Sequence, residues 1–521
     1  MESTPMLGHK MRTIRSISPL TQETIGCYPI ATEEEVNATI HRANKALLHW
    51  SRLTPRQRGD YLKQLRRVLA AQAEQLVSTI HQEIGKPLQE VYGAEILPSL
   101  SAIKWLEQQI AHYLRPRRLR QVTLAPQPYG VVGIIGTWNY PLWLNLTPIL
   151  WALAAGNTVV WKPSELATAS SFALQSCLEQ AELPVFLVIG DAQVGQALCR
   201  SSIQKLAFTG STATGRSILS TLAQGPTPAV MELSGNDASI VTAYADLPSA
   251  ARCLVWARCC NAGQSCVAPQ RIFVHQKCYH EFLTLCQQQM ERLQLEQELT
   301  PLRTENLRSN LHQRVQAACA QGAELLTGGY ALSRTGYFYA PTLVADCTDD
   351  MALMQEDLFG PVLAVSSVHS DEEAVERANR SEFTLGVSIW TKDRQHGRFL
   401  AQQLRAAVVT INEVELLIAA NPAIPFGGWR LSGFGKQRGR EGLDEFVVWK
   451  AIYHTSPFKR RYHLFPYHHA NVHLLRSLVE LYIPSSLHHR LQALFSLFAA
   501  VLSWRREHQY ALKNNVHRGG K

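Results

Sequence analysis

The sequence has no CxxC pair and no zinc-ligand spacing among its eleven cysteines. That argues against a disulfide framework and against a structural zinc site. Cys259 and Cys260 are adjacent, an arrangement that suits neither a metal cluster nor a mutual disulfide. The opening residues, MESTPMLGHKMRTIRS, contain no apolar signal core, so a reducing, cytoplasmic setting with free thiols is expected. Low-complexity tracts and internal repeats are also missing, which excludes fibrous, disordered and solenoid classes.

Excess charge of one sign is missing from most of the chain. The formal net charge is +9, yet the first 450 residues carry 41 basic and 40 acidic side chains. Residues 451–521 carry ten basic and two acidic ones. A neutral body with a basic tail does not fit a nucleic-acid binder, and no nucleic-acid partner is expected. At 521 residues the chain exceeds one compact core, so two or three domains are expected.

What is present is patterned. Thr32 followed by Glu35 forms a capping-box signature before an amphipathic run to Trp50. A second helical run is expected from Pro55 to Ile84, stopped by Gly85 and Pro87. From Pro128 onward, β-branched runs alternate with helix-like ones: GVVGIIG (130–136), NTVVWKP (157–163), PVFLVIG (184–190) and KLAFTG (205–210). That alternation implies a parallel, doubly wound sheet. ASIVTA and RIFVH (271–275) repeat the pattern after Ala238, which suggests a second α/β domain. RPRRLRQVTLAPQ (115–127) reads as an exposed hairpin arm or a plain surface loop.

Several short segments have the residue types that site chemistry needs. FTGSTATG (208–215) places Gly210, Ser211 and Gly215 between a strand and a helix, where free N–H groups favour an anion. In KPSE, Lys162 and Glu165 are suited to ribose or phosphate contacts, or form an ordinary surface pair. MELSGND sets Glu232 after an apolar stretch, a context that raises a carboxyl pKa and suits a general base. TWNYP presents Asn139 as a neutral oxyanion donor. NAGQSCVAPQ surrounds Cys266 with small, uncharged residues, although any single cysteine is most often a buried hydrophobe.

Taken in order, TWNYP, AAGNTVVWKPSE, FTGSTATG, MELSGND, NAGQSC, EDLFGPV and PFGG…SGFGK resemble the NAD(P)-dependent aldehyde dehydrogenase superfamily over about residues 15–450. Cys266 follows Glu232 by 34 residues, the separation expected of that family. The resemblance implies an α/β fold: a Rossmann-like cofactor domain, an α/β catalytic domain and a small β oligomerisation arm. The implied boundaries are 1–114 and 129–231 for NAD(P) binding, 232–430 for catalysis, 115–128 and 431–458 for the arm, and 459–521 for a C-terminal extension. It implies Cys266 as nucleophile, Glu232 as general base and Asn139 with the Cys266 N–H as oxyanion hole. Trp138, Lys162, Glu165, Gly210, Ser211, Gly215, Asp357 and Phe359 match cofactor positions. NAD is the first choice, because Glu165 repels a 2′-phosphate, with NADP as the alternative. Retention of Glu232 favours hydrolysis over acyl transfer to coenzyme A. Two positions depart from the pattern: Ser234 replaces a usual glycine, and Asp357 a usual ribose-binding glutamate. A non-catalytic scaffold with this fold is the rival from another class.

An aldehyde partner, a homodimer or homotetramer, and no metal site follow from the resemblance. Trp143, Leu144 and Val267 fall near the substrate entrance by motif position, favouring an apolar aliphatic or aromatic aldehyde. The tail holds a basic, aromatic segment, KRRYHLFPYHH (459–469), and an apolar one, LQALFSLFAAVLSW (491–504). At fourteen residues the segment falls short of the ~20 that span a bilayer. The segment 487–506 therefore reads either as a peripheral membrane-surface helix, with arginines at lipid headgroups, or as a helix packed on protein. Its placement resembles class 3 and fatty-aldehyde members.

Overall fold

The alternating runs resolve into two sheets in a computed structural model that describes residues 12–294, 297–456, 469–483 and 486–516. The first sheet has six strands in the order Gly433–Phe434, Ala229–Glu232, Lys205–Thr209, Val131–Ile135, Thr158–Lys162 and Val185–Leu187. The last five run parallel, and Gly433–Phe434 is an antiparallel edge. Val131–Ile135 and Thr158–Lys162 are wholly buried, as expected for central strands covered on both faces. Successive strands add to either side of Val131–Ile135, which makes it the point where strand order reverses. Ligand crevices in such sheets lie beyond the carboxyl ends of the strands at that point.

The second sheet has seven strands. Its order is Glu324–Thr327, Thr342–Ala345, Val362–Val368, Arg271–His275, Ala238–Val241, Gly386–Trp390 and Val408–Ile411. It too is parallel apart from one edge strand, Glu324–Thr327. The expected arm is a hairpin of Arg117–Leu119 and Val122–Pro128, extended by Val447–Tyr453.

Two expectations need correction. The run Pro55–Ile84 is two helices, Pro55–Ala71 and Ala73–Ile84, broken at Gln72, whose φ of −101° and ψ of 12° lie outside the helical range. The first hundred residues read as helical from their patterning, but Thr13–Ile17 and Thr24–Pro29 pair as an antiparallel ribbon. The apolar segment 491–504 is helical, as read, within a 30-residue helix, Leu487–Val516. The Thr32–Glu35 capping box and the left-handed Gly85 stop (φ 86°) are formed. All of 459–469 except His469 lies outside the described residues.

Residues 120–122 and those from Tyr453 onward make a separate compact unit, chiefly a pair of helices, His469–Tyr482 and Leu487–Val516. No helix among the described residues is long and apolar enough to cross a membrane.

Beyond Gly85 the chain enters the core instead of leaving it. Lys86 Nζ donates to Glu95 Oε1 at 2.6 Å, and both side chains are fully buried. Glu95 lies in a π-helical turn, Tyr92–Ile96, between Leu88–Val91 and Leu97–Tyr113. Its other oxygen accepts from the backbone N–H groups of Leu142 (3.0 Å) and Trp143 (2.8 Å) at the start of the helix Trp143–Ala155. Removing one partner of such a pair leaves the other charge buried. Lys86→Met is therefore expected to cost about 3–5 kcal/mol of stability. Denaturant unfolding measures this, and an unchanged midpoint would show the pair to be energetically idle.

Candidate active site

Four of the five parallel strands of the first sheet end in a residue of interest. Val131–Ile135 leads to Trp138 and Asn139, Thr158–Lys162 to Lys162 and Glu165, Lys205–Thr209 to Gly210 and Ser211, and Ala229–Glu232 to Glu232 itself. The second sheet contributes loops that precede its strands: 261–267 before Arg271–His275, and Asp357–Phe359 before Val362–Val368.

The thiol loop is held by amides. Asn261 and Ala262 both have φ near 50°, a left-handed conformation unusual for residues with side chains. Compensating bonds surround them. Asn261 Nδ2 donates to the carbonyls of Asn139 (3.0 Å) and Gln264 (3.2 Å). Gln264 Nε2 donates to the Asn261 carbonyl (2.9 Å), and Gln264 Oε1 accepts the Arg303 N–H (2.8 Å). Within residues 261–270 every position is buried except Cys266, which is half-buried. The thiol is thus the one point where this loop opens outward.

Asn139 faces the loop. Its Oδ1 accepts the Thr137 hydroxyl at 2.9 Å, and Nδ2 donates to the Gln264 carbonyl at 2.9 Å. An amide nitrogen has two hydrogens, so one N–H of Asn139 is left for an oxyanion. Glu232 arrives from the other side. The chain after it passes so near the Cys266 carbonyl that a Cβ at Gly235 would lie 2.0 Å from that oxygen. Glu232 Oε1 is buried without a hydrogen-bond partner, beneath Gly427, where a Cβ would lie 2.5 Å from it. Desolvation pushes the Glu232 carboxyl up to about 8, against the opposing pull of Arg438 and then Lys436. The expected elevation is present.

The thiol's surroundings differ from the expectation of groups that favour thiolate. Desolvation raises Cys266 well above the ordinary thiol range, and Glu232, Asp237 and Asp357 push the same way. Arg438 pulls it down.

Of the residues matched to a dinucleotide, Lys162 and Glu165 offer the groups a ribose needs, whereas the donors of the glycine-rich turn are engaged within the protein. Lys162, nearly buried, donates to the more exposed Glu165 at 3.2 Å, so a ribose hydroxyl finds a donor and an acceptor side by side. Ser211 caps the helix Thr212–Leu222: its oxygen accepts the Thr214 N–H (3.2 Å), and its hydrogen goes to Thr214 Oγ1 (3.0 Å). Ser211 therefore shapes the helix start, and its hydroxyl is not free for phosphate as the sequence suggested. The N–H of Gly210 is also engaged, with the Glu232 carbonyl (3.0 Å), and that of Gly215 with the Ser211 carbonyl (2.9 Å). Trp138 and Phe359 meet edge to face at 6.0 Å. The two departures from the family pattern also meet. Burial lifts Asp357 to about 6, and the Ser234 hydroxyl, Arg258 and the Gly235 N–H hold it back. Ser234 Oγ also accepts the Thr212 N–H at 3.3 Å. A serine hydroxyl thus supports the shorter carboxylate.

A cavity of about 720 Å³ leads to Cys266, within the usual range for small-molecule sites. Trp143, Leu144 and Val267 line it, as motif position implied, with Leu88, Leu416 and Phe426. Sequence reasoning missed other lining residues, Glu90, Tyr140 and Arg438 among them. It also missed Lys86, whose Nζ lies 3.6 Å from the Tyr140 ring centroid. Glu90 Oε2 accepts the Asn261 N–H at 2.8 Å. Burial lifts Glu90 to about 7, while that N–H, Lys86 and the Cys260 thiol lower it. The available signal was a lysine between a helix-stopping glycine and a proline, which reads as an exposed cation.

The chain belongs to the aldehyde dehydrogenase family, whose model matches residues 7–452. It is 32% identical over 455 residues to the 4,4′-diapolycopene aldehyde oxidase of a Methylomonas species, covering 84% of each chain. It is 30% identical over 469 residues to the NADP+ succinate-semialdehyde dehydrogenase of Deinococcus radiodurans, covering 87% of this chain and 97% of that one. A crystal structure of a Mycobacterium tuberculosis aldehyde dehydrogenase complexed with NAD+ superposes with a TM-score of 0.82 at 29% identity, covering 88% and 97% of the two chains. The protein is an NAD(P)-dependent enzyme that oxidises an aldehyde. These relatives do not favour the class 3 branch.

The raised Glu232 has a consequence for stability. Between about pH 4.5 and about 8 the folded protein keeps a proton that the unfolded chain has released, so stability falls as pH rises through that window. Glu232→Gln removes this fall. Melting temperatures of the two proteins are expected to converge near about pH 5 and to separate in the variant's favour above about pH 8. Parallel melting profiles would contradict the buried, partnerless carboxyl.

Proposed function

We propose that this enzyme converts an apolar aliphatic or aromatic aldehyde to its carboxylic acid through a thioester on Cys266. The observation that carries the reading is a cavity with a mainly apolar lining, Leu88, Trp143, Leu144, Val267, Leu416 and Phe426 among it, that reaches the half-buried thiol, with Glu232 and Asn139 beside the same loop. The Cys266 sulfur adds to the aldehyde carbon, and the alkoxide accepts the free Asn139 N–H and the Cys266 backbone N–H. One such donor is worth about 10²–10³ in rate. When bound, NAD(P)+ supplies the hydride acceptor that turns the Cys266 hemithioacetal into a thioester. Lys162, Glu165, Trp138, Phe359, Asp357 and the turn of Gly210, Ser211 and Gly215 are the residues assigned to hold it, with NAD preferred because Glu165 repels a 2′-phosphate. Glu232 then takes a proton from water, the hydroxide attacks the thioester, and the carboxylic acid leaves as the thiol is restored. Such a base contributes about 10²–10⁴.

Relatives' names divide between 4,4′-diapolycopene aldehyde and succinate semialdehyde, the second of which bears a carboxylate. A series of hexanal, decanal, benzaldehyde and succinic semialdehyde, with NAD and NADP in parallel, separates the two. The highest kcat/KM is expected for decanal with NAD. Glu232→Gln is expected to release one burst of NADH per site and then stall. Steady turnover of that variant, or a requirement for coenzyme A, would overturn the hydrolytic route.

We also assign the arm, 115–128 with Val447–Tyr453, to contact between copies in a homodimer or homotetramer, while 431–446, expected in the arm, joins the first sheet and the cavity wall; the segments 1–114 with 129–231 and 232–430 are assigned to cofactor binding and catalysis. The helix pair is assigned to a membrane surface, on one observation: it is packed inside out. Its seam holds small residues, Ser477, Ala493 and Ala500, and a Ser477–Ser496 hydroxyl contact of 3.0 Å. Leu475, Val479, Leu494, Phe495 and Phe498 are each more than half exposed. Small residues in the seam and large apolar ones outside suit helices solvated by lipid. Arg476, Arg490, Arg505 and Arg506 supply positive charge for anionic headgroups. The full chain is expected to float with phosphatidylserine-containing vesicles and to release as salt rises. Phe495→Glu with Phe498→Glu should abolish flotation, and flotation unchanged by that pair would exclude this surface.

A further inference from the structure

Arg438 is a buried cation in the wall of the cavity, and neither the motif series nor the mechanism above uses it. It is 3% exposed, and its Nη1 is buried without a hydrogen-bond partner. The guanidinium lies 4.3 Å from the Phe426 ring centroid and 5.6 Å from that of Trp143. Two aromatic faces hold a planar cation without neutralising it. The backbone around it is fixed. The Gln437 N–H donates to the Phe426 carbonyl (2.9 Å), and the Arg438 carbonyl accepts the Gly442 N–H (2.8 Å). Arg438 and Cys266 line the same cavity, where Glu232, Asp237 and Asp357 push the thiol up and Arg438 pulls it down. Arg438 also faces Glu232, as does Lys436, whose Nζ is engaged by the Gly427 carbonyl.

A desolvated site in which Cys266 and Glu232 share one free guanidinium supports one negative charge between them far better than two. We propose that Arg438 is a positioning residue for the nucleophile: the Cys266 S–H bond breaks, the proton leaves to water, and the guanidinium holds the thiolate that remains while Glu232 keeps its own proton. No redox partner is involved, and the released proton is what the pH dependence reads. The inference rests on Cys266 being the nucleophile. Its test needs neither cofactor nor aldehyde, so the two can fail separately.

The measurement is the pH dependence of Cys266 alkylation by iodoacetamide, followed by peptide mass spectrometry on the full chain, with Cys266→Ala as the blank. Arg438→Met and Arg438→Gln are expected to slow alkylation about tenfold at neutral pH and to shift its midpoint upward by about one unit, while Arg438→Lys restores most of the profile. A wild-type profile in folded Arg438→Met or Arg438→Gln overturns the proposal. So does loss of activity on succinic semialdehyde alone with alkylation unchanged, because Arg438 would then be a receptor for a substrate carboxylate.

Discussion

Lys86 and Glu95 meet where water does not reach them, and two loops of the site are tied to the segment that holds them. Glu95 accepts the first N–H groups of the helix that follows Asn139, and Lys86 lies on the ring of Tyr140. Four residues from Lys86, Glu90 accepts the N–H of Asn261 in the thiol loop. One short stretch, 86–95, thus anchors the oxyanion side and the thiol side together. A buried pair of this kind adds little net stability over an apolar substitute, but it is costly to break. Its value here is positional: charges with no water to turn to accept only a narrow range of partners.

The same exclusion of water sets the electrostatics of the site. Glu232 is kept mostly protonated near neutrality because its oxygen has no partner, and Cys266 resists ionisation for the same reason. Each group alone is poorly placed for charge, and Arg438, beside the rings of Phe426 and Trp143, is the cation that lowers both. Ser234 and Asp357 show a smaller version of this coupling. Each is a departure from the family pattern when read separately, and in space the hydroxyl of one supports the carboxylate of the other.

Much of the architecture was legible. Val131–Ile135, Thr158–Lys162 and Lys205–Thr209 are short β-branched runs bounded by glycine or proline, and burial on both faces leaves that pattern in the sequence. The break at Gln72 was not legible, since both flanking segments are good helix formers and only the backbone angles of Gln72 separate them. The N-terminal ribbon was missed because its strands are partly exposed and carry no continuous apolar run. In the site, Cys266, Glu232 and Asn139 stood out through ordered motifs. Lys86, Glu90, Glu95 and Arg438 did not, because a charged residue reads as solvated until its surroundings are known.

By itself the sequence determined the fold class and the family and marked the candidate thiol, carboxyl and amide, because local patterns and motif order are written along the chain. The tertiary structure alone decided how these groups behave. Ionisation depends on desolvation and on charges tens to hundreds of residues away, as with Glu232 and Arg438 or Glu90 and Asn261. Such distances in sequence collapse to contact only when the chain has folded.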